Sequence, residues 1–508
     1  MTSLWKIAPS APAGSPFVPG ERHDAIVVGA GLTGLSTAVM LARRGLDVAV
    51  VEAGSPGELA SGSNTGKLSL LQSDRLGEIR RQHPAGLVRA YVDANRSGMR
   101  WMLAFAEQAG VPFTRRRDHA YASGRSGLDS IRRTYEAARE AGLPARMLAG
   151  SDVRELPFPV AGAVALDDQV TIDPMALVAA LAQELIATGG RLHTGVRVTG
   201  ARALPESRIE TAQGPLFAPH IVLATGTPIL DRGLYFAKVR GQRSWCVSFR
   251  VPGDVPAQTY ISVDGDTHSI RPVSPGDGPA DAANLIVGGN GHPVGREPHE
   301  AAGLDELAHW TRRHFPGAEE THRWSAQDYE SHNLIPFVGA LPRGLGRIRL
   351  ATGYAKWGLS NAPAAALRLT AEILGDPLGD RAEWMRAIGT RLTVPSDIGR
   401  GIAEGGRVAV RMTSGWADAA QPVPVARPAE GEGVVARSGI RLVGISTVDG
   451  VTRGVDAICP HLGGVLSWND AECTWDCPLH ASRFAADGTR IEGPAVKDLP
   501  QIPRTSDE

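Results

Sequence analysis

Four residues near the C-terminus have types and spacing suited to binding metal. Cys459 and His461 form C-x-H, Cys477 and His480 form C-x-x-H, and fifteen residues separate His461 from Cys477. Two loops that each offer one thiolate and one imidazole can hold a [2Fe–2S] cluster, with both thiolates on one iron and both imidazoles on the other. The same four ligands can close a tetrahedral zinc site, so the spacing alone leaves both open. Cys246 lies far from this group and Cys473 falls inside it, which suits a metal site in a reducing compartment better than a disulfide framework. Cys473 itself reads as a small buried hydrophobe.

A second set of residues lies near the N-terminus. Gly29-Ala30-Gly31-Leu32-Thr33-Gly34 is a G-x-G-x-x-G, and Glu52, followed by Ala53, comes 18 residues after Gly34. In such a fingerprint Gly29 makes the tight turn, Gly31 lets the backbone approach a pyrophosphate, and Gly34 allows close helix–strand packing. The helix N-terminus attracts phosphate, and Glu52 can accept from ribose hydroxyls. An acidic Glu52 opposes a 2′-phosphate and disfavours NADP. FAD and NAD both remain open from the fingerprint.

The elements that must position these residues follow from apolar periodicity. Residues 25–28 read as a strand buried on both faces, residues from Leu35 to Ala42 as a helix closed by Gly45, and residues 47–51 as a second strand, which together make a βαβ unit. Residues 174–188 and 362–374 read as helices, residues 191–198 and 218–224 as strands, and residues 242–289 as short β-rich runs. Gly, Pro and Ala dominate from about 379 to 428, which reads as a linker, and residues 439–499 show the short strands and turns of an all-β domain.

A chain of 508 residues with 43% apolar and 21% charged residues is too long for one core and implies two or three domains. A formal net charge of −1 gives no electrostatic case for nucleic acid. Residues 1–23 carry four prolines and no basic-then-apolar pattern, so they read as an extended leader and not a secretory signal. No apolar run is long enough to span a bilayer, and a cytoplasmic protein is expected.

Several stretches, in order over residues 24–375, resemble the D-amino-acid oxidase/glycine oxidase family of flavoproteins: ASGSNTGKLSLL from Ala60, VTIDPMALVAALAQELIATGGRLHTGVRVTGA from Val170, HIVLATGTP from His220, RWSAQDYES from Arg323, and IPFVG followed by LATGYAKWGLSNAPAAA. This resemblance implies FAD. By it Ser61, Asn64, Thr65 and Lys67 line the flavin and its phosphates, Val198 meets the adenine, and Ala224, Thr225 and Gly226 close the pyrophosphate pocket. Gly353 and Lys356, Trp357, Gly358 and Leu359 then lie beside the isoalloxazine, with a helix beginning near Asn361 directing its positive end at the ring. The stretch from Cys459 to Leu499 similarly resembles the Rieske fold, including Trp468, Trp475, Ser482, Arg483, Phe484 and Gly493-Pro494-Ala495, and so implies a [2Fe–2S] cluster rather than zinc. Gly464 and Leu479 stand where disulfide-stapled Rieske proteins have cysteines, Phe484 where they have a tyrosine, and Ala481 replaces the usual glycine. Fewer hydrogen bonds to the sulfurs imply a potential at the low end of the Rieske range.

Both resemblances together imply an α/β chain. An FAD-binding Rossmann-like domain of the DAO type (24–380) contains a mixed-sheet substrate subdomain at roughly 96–160 and 236–322. A linker (381–428) and an all-β Rieske domain (429–508) follow. The implied activity is oxidation of the C–N bond of an amine or amino acid by hydride transfer to flavin N5, with electrons leaving through the cluster to a protein or small-molecule acceptor. No second G-x-G-x-x-G follows a strand, which argues for electrons entering from a substrate. A reductase fed by an external donor, or a redox module without turnover, is the alternative. Catalytic residues are the least readable: Arg271 is a candidate clamp for a substrate carboxylate or a structural ion pair, and Tyr354 and Lys356 are candidates beside the flavin. Glu306, His309 and His314 make an iron-triad-like spacing, but the segment reads as an amphipathic helix with Leu304, Leu307, Ala308 and Trp310 inward.

Overall fold

In the computed structural model of the chain, residues 1–6, 11–265, 267–391, 427–439 and 441–502 are described. Strand Ala25–Val28 and strand Val48–Val51 are buried on both faces, which is why their residues are apolar without alternation. They pair in parallel at the centre of a six-stranded sheet, in the order Phe337–Ala340, Ile348–Thr352, His220–Leu223, Ala25–Val28, Val48–Val51, Arg191–His193; Phe337–Ala340 alone runs antiparallel to its neighbour. Helix Leu32–Ala42 connects the two central strands and packs between helices Pro174–Ala187 and Gly358–Leu374. Helix Pro174–Ala187 begins as its sequence dictates: Pro174 occupies the first turn and the Asp173 carboxylate accepts from Met175 N at 2.8 Å and Ala176 N at 3.1 Å.

A nine-stranded mixed sheet stands beside this unit. Its order is Glu319–Ser331, Val239–Arg250, Leu285–Pro293, His268–Pro272, Thr259–Ser262, Phe113–Ala122, Gly162–Ile172, Lys67–Leu68, with Arg146–Ala149 also paired to Gly162–Ile172. Strands Lys67–Leu68, Gly162–Ile172 and part of Glu319–Ser331 lie outside the bounds read for the substrate subdomain, because long-range pairing leaves no local mark in sequence.

Three local expectations change. The last long helix starts at Gly358, a turn before Asn361, with its first turn held where Asn361 Nδ2 donates to Trp357 O at 2.9 Å and Ser360 Oγ donates to Asn95 Oδ1 at 2.6 Å. The strand read over 191–198 splits, since Gly195 turns the chain at φ +70° and Val198–Arg202 joins a separate sheet with Arg208–Thr211 and Leu216–Phe217. The leader is not free: Leu4 and Trp5 are buried, Trp5 Nε1 donates to Asn64 O at 2.7 Å, and Ser15 N donates to Leu192 O at 2.6 Å.

The start of the expected linker is also folded. Helix Ala382–Ala387 buries Trp384 and Met385, and residues Ile388 and Thr390 hydrogen bond with Val338. The stretch 392–426 lies outside the described residues. Helix Glu300–His314 buries Leu304, Leu307, Ala308 and Thr311 and leaves Glu306 and His309 exposed, with His314 packed on Phe158 and Trp310 half-buried, so these acid and imidazole groups form no triad.

C-terminal residues form an antiparallel three-stranded sheet (Gly433–Ser438, Arg441–Val448, Val451–Asp456) and an antiparallel four-stranded sheet (Ser467–Asn469, Thr474–Asp476, Arg483–Ala485, Arg490–Glu492). Their shared core holds Val455, Leu466, Trp475, Phe484 and Leu499 around Cys459 and Cys477. Among the described residues, no helix is long and apolar enough to cross a membrane.

Candidate cofactor and metal sites

At the carboxyl end of strand Ala25–Val28, Gly29 turns at φ +103°, where a Cβ would lie 2.5 Å from Ala224 O. A Cβ on Gly34 would lie 1.9 Å from Gly29 O, so only glycine permits this approach of helix to turn. Leu32 N donates to Ser61 Oγ at 3.0 Å, which fixes the helix start against the short helix Ala60–Ser63. The Glu52 carboxylate accepts from Ala30 N at 2.7 Å and from Gly54 N at 2.9 Å, while burial raises its pKa.

These elements open on a cavity of about 920 Å³. Its wall includes Gly29, Gly31, Leu32, Thr33, Glu52, Ala53, Ser61, Asn64, Thr65, Lys67, Val198, Thr225, Gly226, Gly353, Tyr354, Lys356, Trp357, Gly358 and Leu359. Ala30 and Gly34 stand behind it and shape the turn. A volume of this size, glycines where the wall approaches most closely and a helix N-terminus facing the space suit a dinucleotide.

Arg271 is outside the wall. It is wholly buried, its guanidinium donates to Pro272 O at 3.1 Å and Asp277 O at 2.9 Å, and it stands 3.5 Å from Asp277 Oδ1 and over the Trp5 ring. Of the two readings the structure places it in the ion pair: the fully buried Asp277 stands between Arg271 and Arg116, the latter 2.6 Å from its Oδ2, and backbone carbonyls hold the rest of the Arg271 guanidinium.

Inside the wall, Ala355 and Lys356 adopt left-handed φ values of +49° and +73°, and Lys356 N donates to the Asp328 carboxylate. Burial raises the Asp328 pKa to about 6, against the lowering pull of Lys356. Lys67 is buried and donates to Ser269 Oγ at 2.7 Å, and burial lowers its pKa to about 8. Tyr354 OH lies 3.1 Å from Thr33 Oγ1, and burial raises its pKa. Nothing in the sequence marks Asp328, because a lone acid in a β-strand has the local appearance of a solvated edge.

Cys459, His461, Cys477 and His480 converge at the tip of the C-terminal region. The imidazoles stand edge-on with centroids 5.1 Å apart, and His461 Nδ1 and His480 Nδ1 are both buried without a hydrogen-bond partner. The thiols touch: contact with Cys477, together with backbone N–H groups and Ser482, lowers Cys459 to about 7, and the same contact raises Cys477. Burial and His461 lower His480 to about 4, which keeps its imidazole neutral. Two orphaned imidazole nitrogens facing two thiols are the donor set a [2Fe–2S] cluster of mixed ligation requires. No cysteine staple exists here: a Cβ on Gly464 would lie 2.7 Å from Leu479 Cδ1 and 3.2 Å from Cys477 Sγ. Ala481 takes φ +65°, the conformation its usual glycine would favour. Cys473 is half-buried rather than buried.

The cavity and the cysteine–histidine tip are joined. Thr489 to Gly493 and Ala495 form part of the cavity wall, so the C-terminal region helps enclose it. Gln327, also in that wall, donates from Nε2 to Ala481 O at 2.8 Å, one residue from His480. Tyr329 OH donates to Glu492 Oε1 at 3.0 Å. Arg243, wholly buried, donates to Asp476 Oδ2 at 2.6 Å and Gln327 Oε1 at 3.0 Å, and lies 3.3 Å from both Glu300 and Glu472. The imidazole edge is covered by Phe236, whose ring centroid is 4.9 Å from His461 and 4.8 Å from His480. The sequence offered no sign of this junction, which pairs residues far apart in the chain.

Comparison with known proteins agrees with this construction. Residues 24–372 match the model of the DAO family, FAD dependent oxidoreductase, and residues 421–503 match the Rieske [2Fe-2S] domain. A Rieske 2Fe-2S iron-sulfur protein of Bacillus subtilis, YhfW, is 24% identical over 510 residues, spanning 98% of this chain and 97% of the relative. Glycine oxidase of Bacillus licheniformis is 26% identical over 72% of this chain and 96% of its own length. The crystal structure of glycine oxidase from Geobacillus kaustophilus superposes with a TM-score of 0.61 at 21% identity, covering 74% of this chain and 100% of that one. The chain therefore belongs to the DAO family of FAD dependent oxidoreductases and carries a Rieske domain, so that it is an oxidoreductase that binds both FAD and a [2Fe–2S] cluster.

Proposed function

We propose that this oxidoreductase dehydrogenates the C–N bond of an amine or amino acid and delivers the electrons to an external acceptor. Bound FAD supplies a hydride acceptor that can release electrons singly, and the cluster supplies a one-electron carrier. The observation that carries the reading is the shared wall: Gln327 borders the cavity and hydrogen bonds to Ala481 O beside His480, so the two redox sites adjoin inside one chain. Likeness to a glycine oxidase supports the substrate class.

In this reading Cys459, His461, Cys477 and His480 are the cluster ligands. The G-x-G-x-x-G, Glu52, Ser61, Asn64, Thr65, Lys67 and Val198 hold the dinucleotide, and Gly353 and Lys356 to Leu359 flank the isoalloxazine. Residues 381–391 pack on the family domain and belong with it. Asp328 is the group placed to take a proton from a substrate ammonium, since it lines the cavity beside Lys356 and burial raises its pKa to about 6. Tyr354 and Lys356 shape the same wall.

Anaerobic addition of a panel of amines and amino acids tests the proposal. Bleaching of the flavin absorbance by a panel member, followed by the electron paramagnetic resonance signal of a reduced cluster, is the expected result. Bleaching by NADH with none by the panel would replace it with the reductase reading.

A further inference from the structure

The leader and the edge of the six-stranded sheet bring together Glu21, His23 and His193, three residues that neither the flavin nor the cluster employs. One ligand atom from each, all within 4.8 Å of one another, faces a common point. These atoms are Glu21 Oε2, His23 Nε2 and His193 Nε2, and each is buried without a hydrogen-bond partner. His23 is 5% and His193 0% exposed.

The partners of the opposite atoms settle what faces inward. His193 Nδ1 lies 3.2 Å from Ser15 O, a carbonyl that can only accept, so the proton of a neutral ring sits on Nδ1 and the lone pair on Nε2. His23 Nδ1 lies 3.1 Å from Asp47 Oδ2, which assigns the same tautomer. Glu21 Oε1 accepts from Arg191 Nη1 at 2.6 Å, which leaves Oε2 to point inward, 3.8 Å from His23 Nε2. Two lone pairs and a carboxylate oxygen thus converge with no donor between them, an arrangement that repels itself unless a cation fills it. Each ligand is also held from behind by a carboxylate, a carbonyl or a guanidinium, as the orienting partners of metal-binding residues are.

We propose that Glu21, His23 and His193 form a second metal site besides the cluster, which binds a zinc-type divalent cation through Glu21 Oε2 and the two Nε2 atoms with water as the fourth ligand. Two imidazoles and one carboxylate are a recurrent zinc set, and the softer imidazole nitrogens disfavour calcium and magnesium, which prefer oxygen ligands. The site ties the leader to strand Arg191–His193, which follows one residue after Gly190 and runs beside Val48–Val51, the strand that precedes Glu52. It is thereby a clamp at the outer edge of the dinucleotide-binding sheet.

Elemental analysis of the full chain, purified without chelator with its flavin and cluster in place, tests this. About one zinc per chain is expected beside the cluster iron. His23→Ala and His193→Ala should each lower zinc at least tenfold while iron and flavin contents stay unchanged. If a variant is not recovered folded, cobalt loading of the wild-type chain decides the matter: the visible d–d absorption of a tetrahedral nitrogen–oxygen site supports the proposal. Failure of the wild-type chain to retain zinc after loading and desalting overturns it, as does zinc that persists in the double variant. The first of these outcomes would mean that a proton alone fills the space.

Discussion

Asp231 Oδ1 lies 2.9 Å from Nε2 of His461. A carboxylate of the flavin-binding part thus reaches the outer nitrogen of a proposed cluster ligand, across the seam where Phe236 covers the same imidazole. Negative charge at this position favours the oxidised cluster, which is one unit more positive than the reduced one.

Asp231→Asn should therefore raise the cluster potential. The Asp231 side chain is 63% exposed, so solvent screens the contact and the shift should be modest, on the order of 20–40 mV from an interaction of about 0.5–1 kcal/mol. A redox titration followed by electron paramagnetic resonance measures it, and a potential that falls would show that the carboxylate acts otherwise.

Arg243→Ala should loosen the junction. The substitution takes from the buried Asp476 and Glu300 the cation they share, while Glu472 keeps Arg483 at 2.7 Å, and breaking a buried pair of this kind costs about 3–5 kcal/mol. A lower thermal midpoint, with cluster loss preceding flavin loss, is the expected calorimetric and optical outcome.

Asp328 governs the pH dependence of turnover in the proposed chemistry. Its carboxylate must be ionised to accept a proton, and burial places its pKa at about 6, so kcat/KM should rise as pH passes upward through that value. Asp328→Asn should flatten this limb and lower the plateau by about 10²–10⁴-fold. In stability the sign is opposite. A carboxyl whose folded pKa is raised binds its proton more tightly in the native state, so its contribution falls as pH rises from 3.8 to about 6, and the Asn variant should lack that slope.

Arg490 offers a test of whether the Rieske region helps hold FAD. It is 3% exposed, lines the cavity, donates from Nη1 to Ala495 O at 2.7 Å and keeps a buried Nε without a partner. Arg197, in the same wall, lowers its pKa further after burial has done so, which is what two cations flanking an anion site would do before the anion binds. Arg490→Met should weaken FAD about tenfold, or 1.4 kcal/mol, by fluorescence titration, with FMN binding, which lacks the adenylate, left unchanged.

Much of this protein is written locally. The fingerprint Gly29 to Gly34 with Glu52 is contiguous enough to be read directly, since turn, helix start and second strand are consecutive and each glycine answers a nearby steric demand, as Gly34 does against Gly29 O. The two Cys–His pairs are legible for the same reason, because each loop carries its own ligands in C-x-H or C-x-x-H spacing. Arg271 shows where such reading stops. A buried Arg in a β-strand has the same local appearance whether it meets a substrate or Asp277, and only the packing of Trp5 and Asp277 around it distinguishes the two.

By itself, then, the sequence determined the two cofactor fingerprints and their order along the chain, because those depend on spacing within short segments and on φ values that particular residue types allow. Tertiary structure alone decided that Gln327 meets Ala481, that Arg490 walls a cavity begun at Gly29, that Asp231 caps His461, and that Glu21 and His23 converge on His193. Those contacts join residues tens to hundreds of positions apart, and they exist because burying the apolar faces of the separate sheets brings their loops together, a long-range effect that no local pattern encodes.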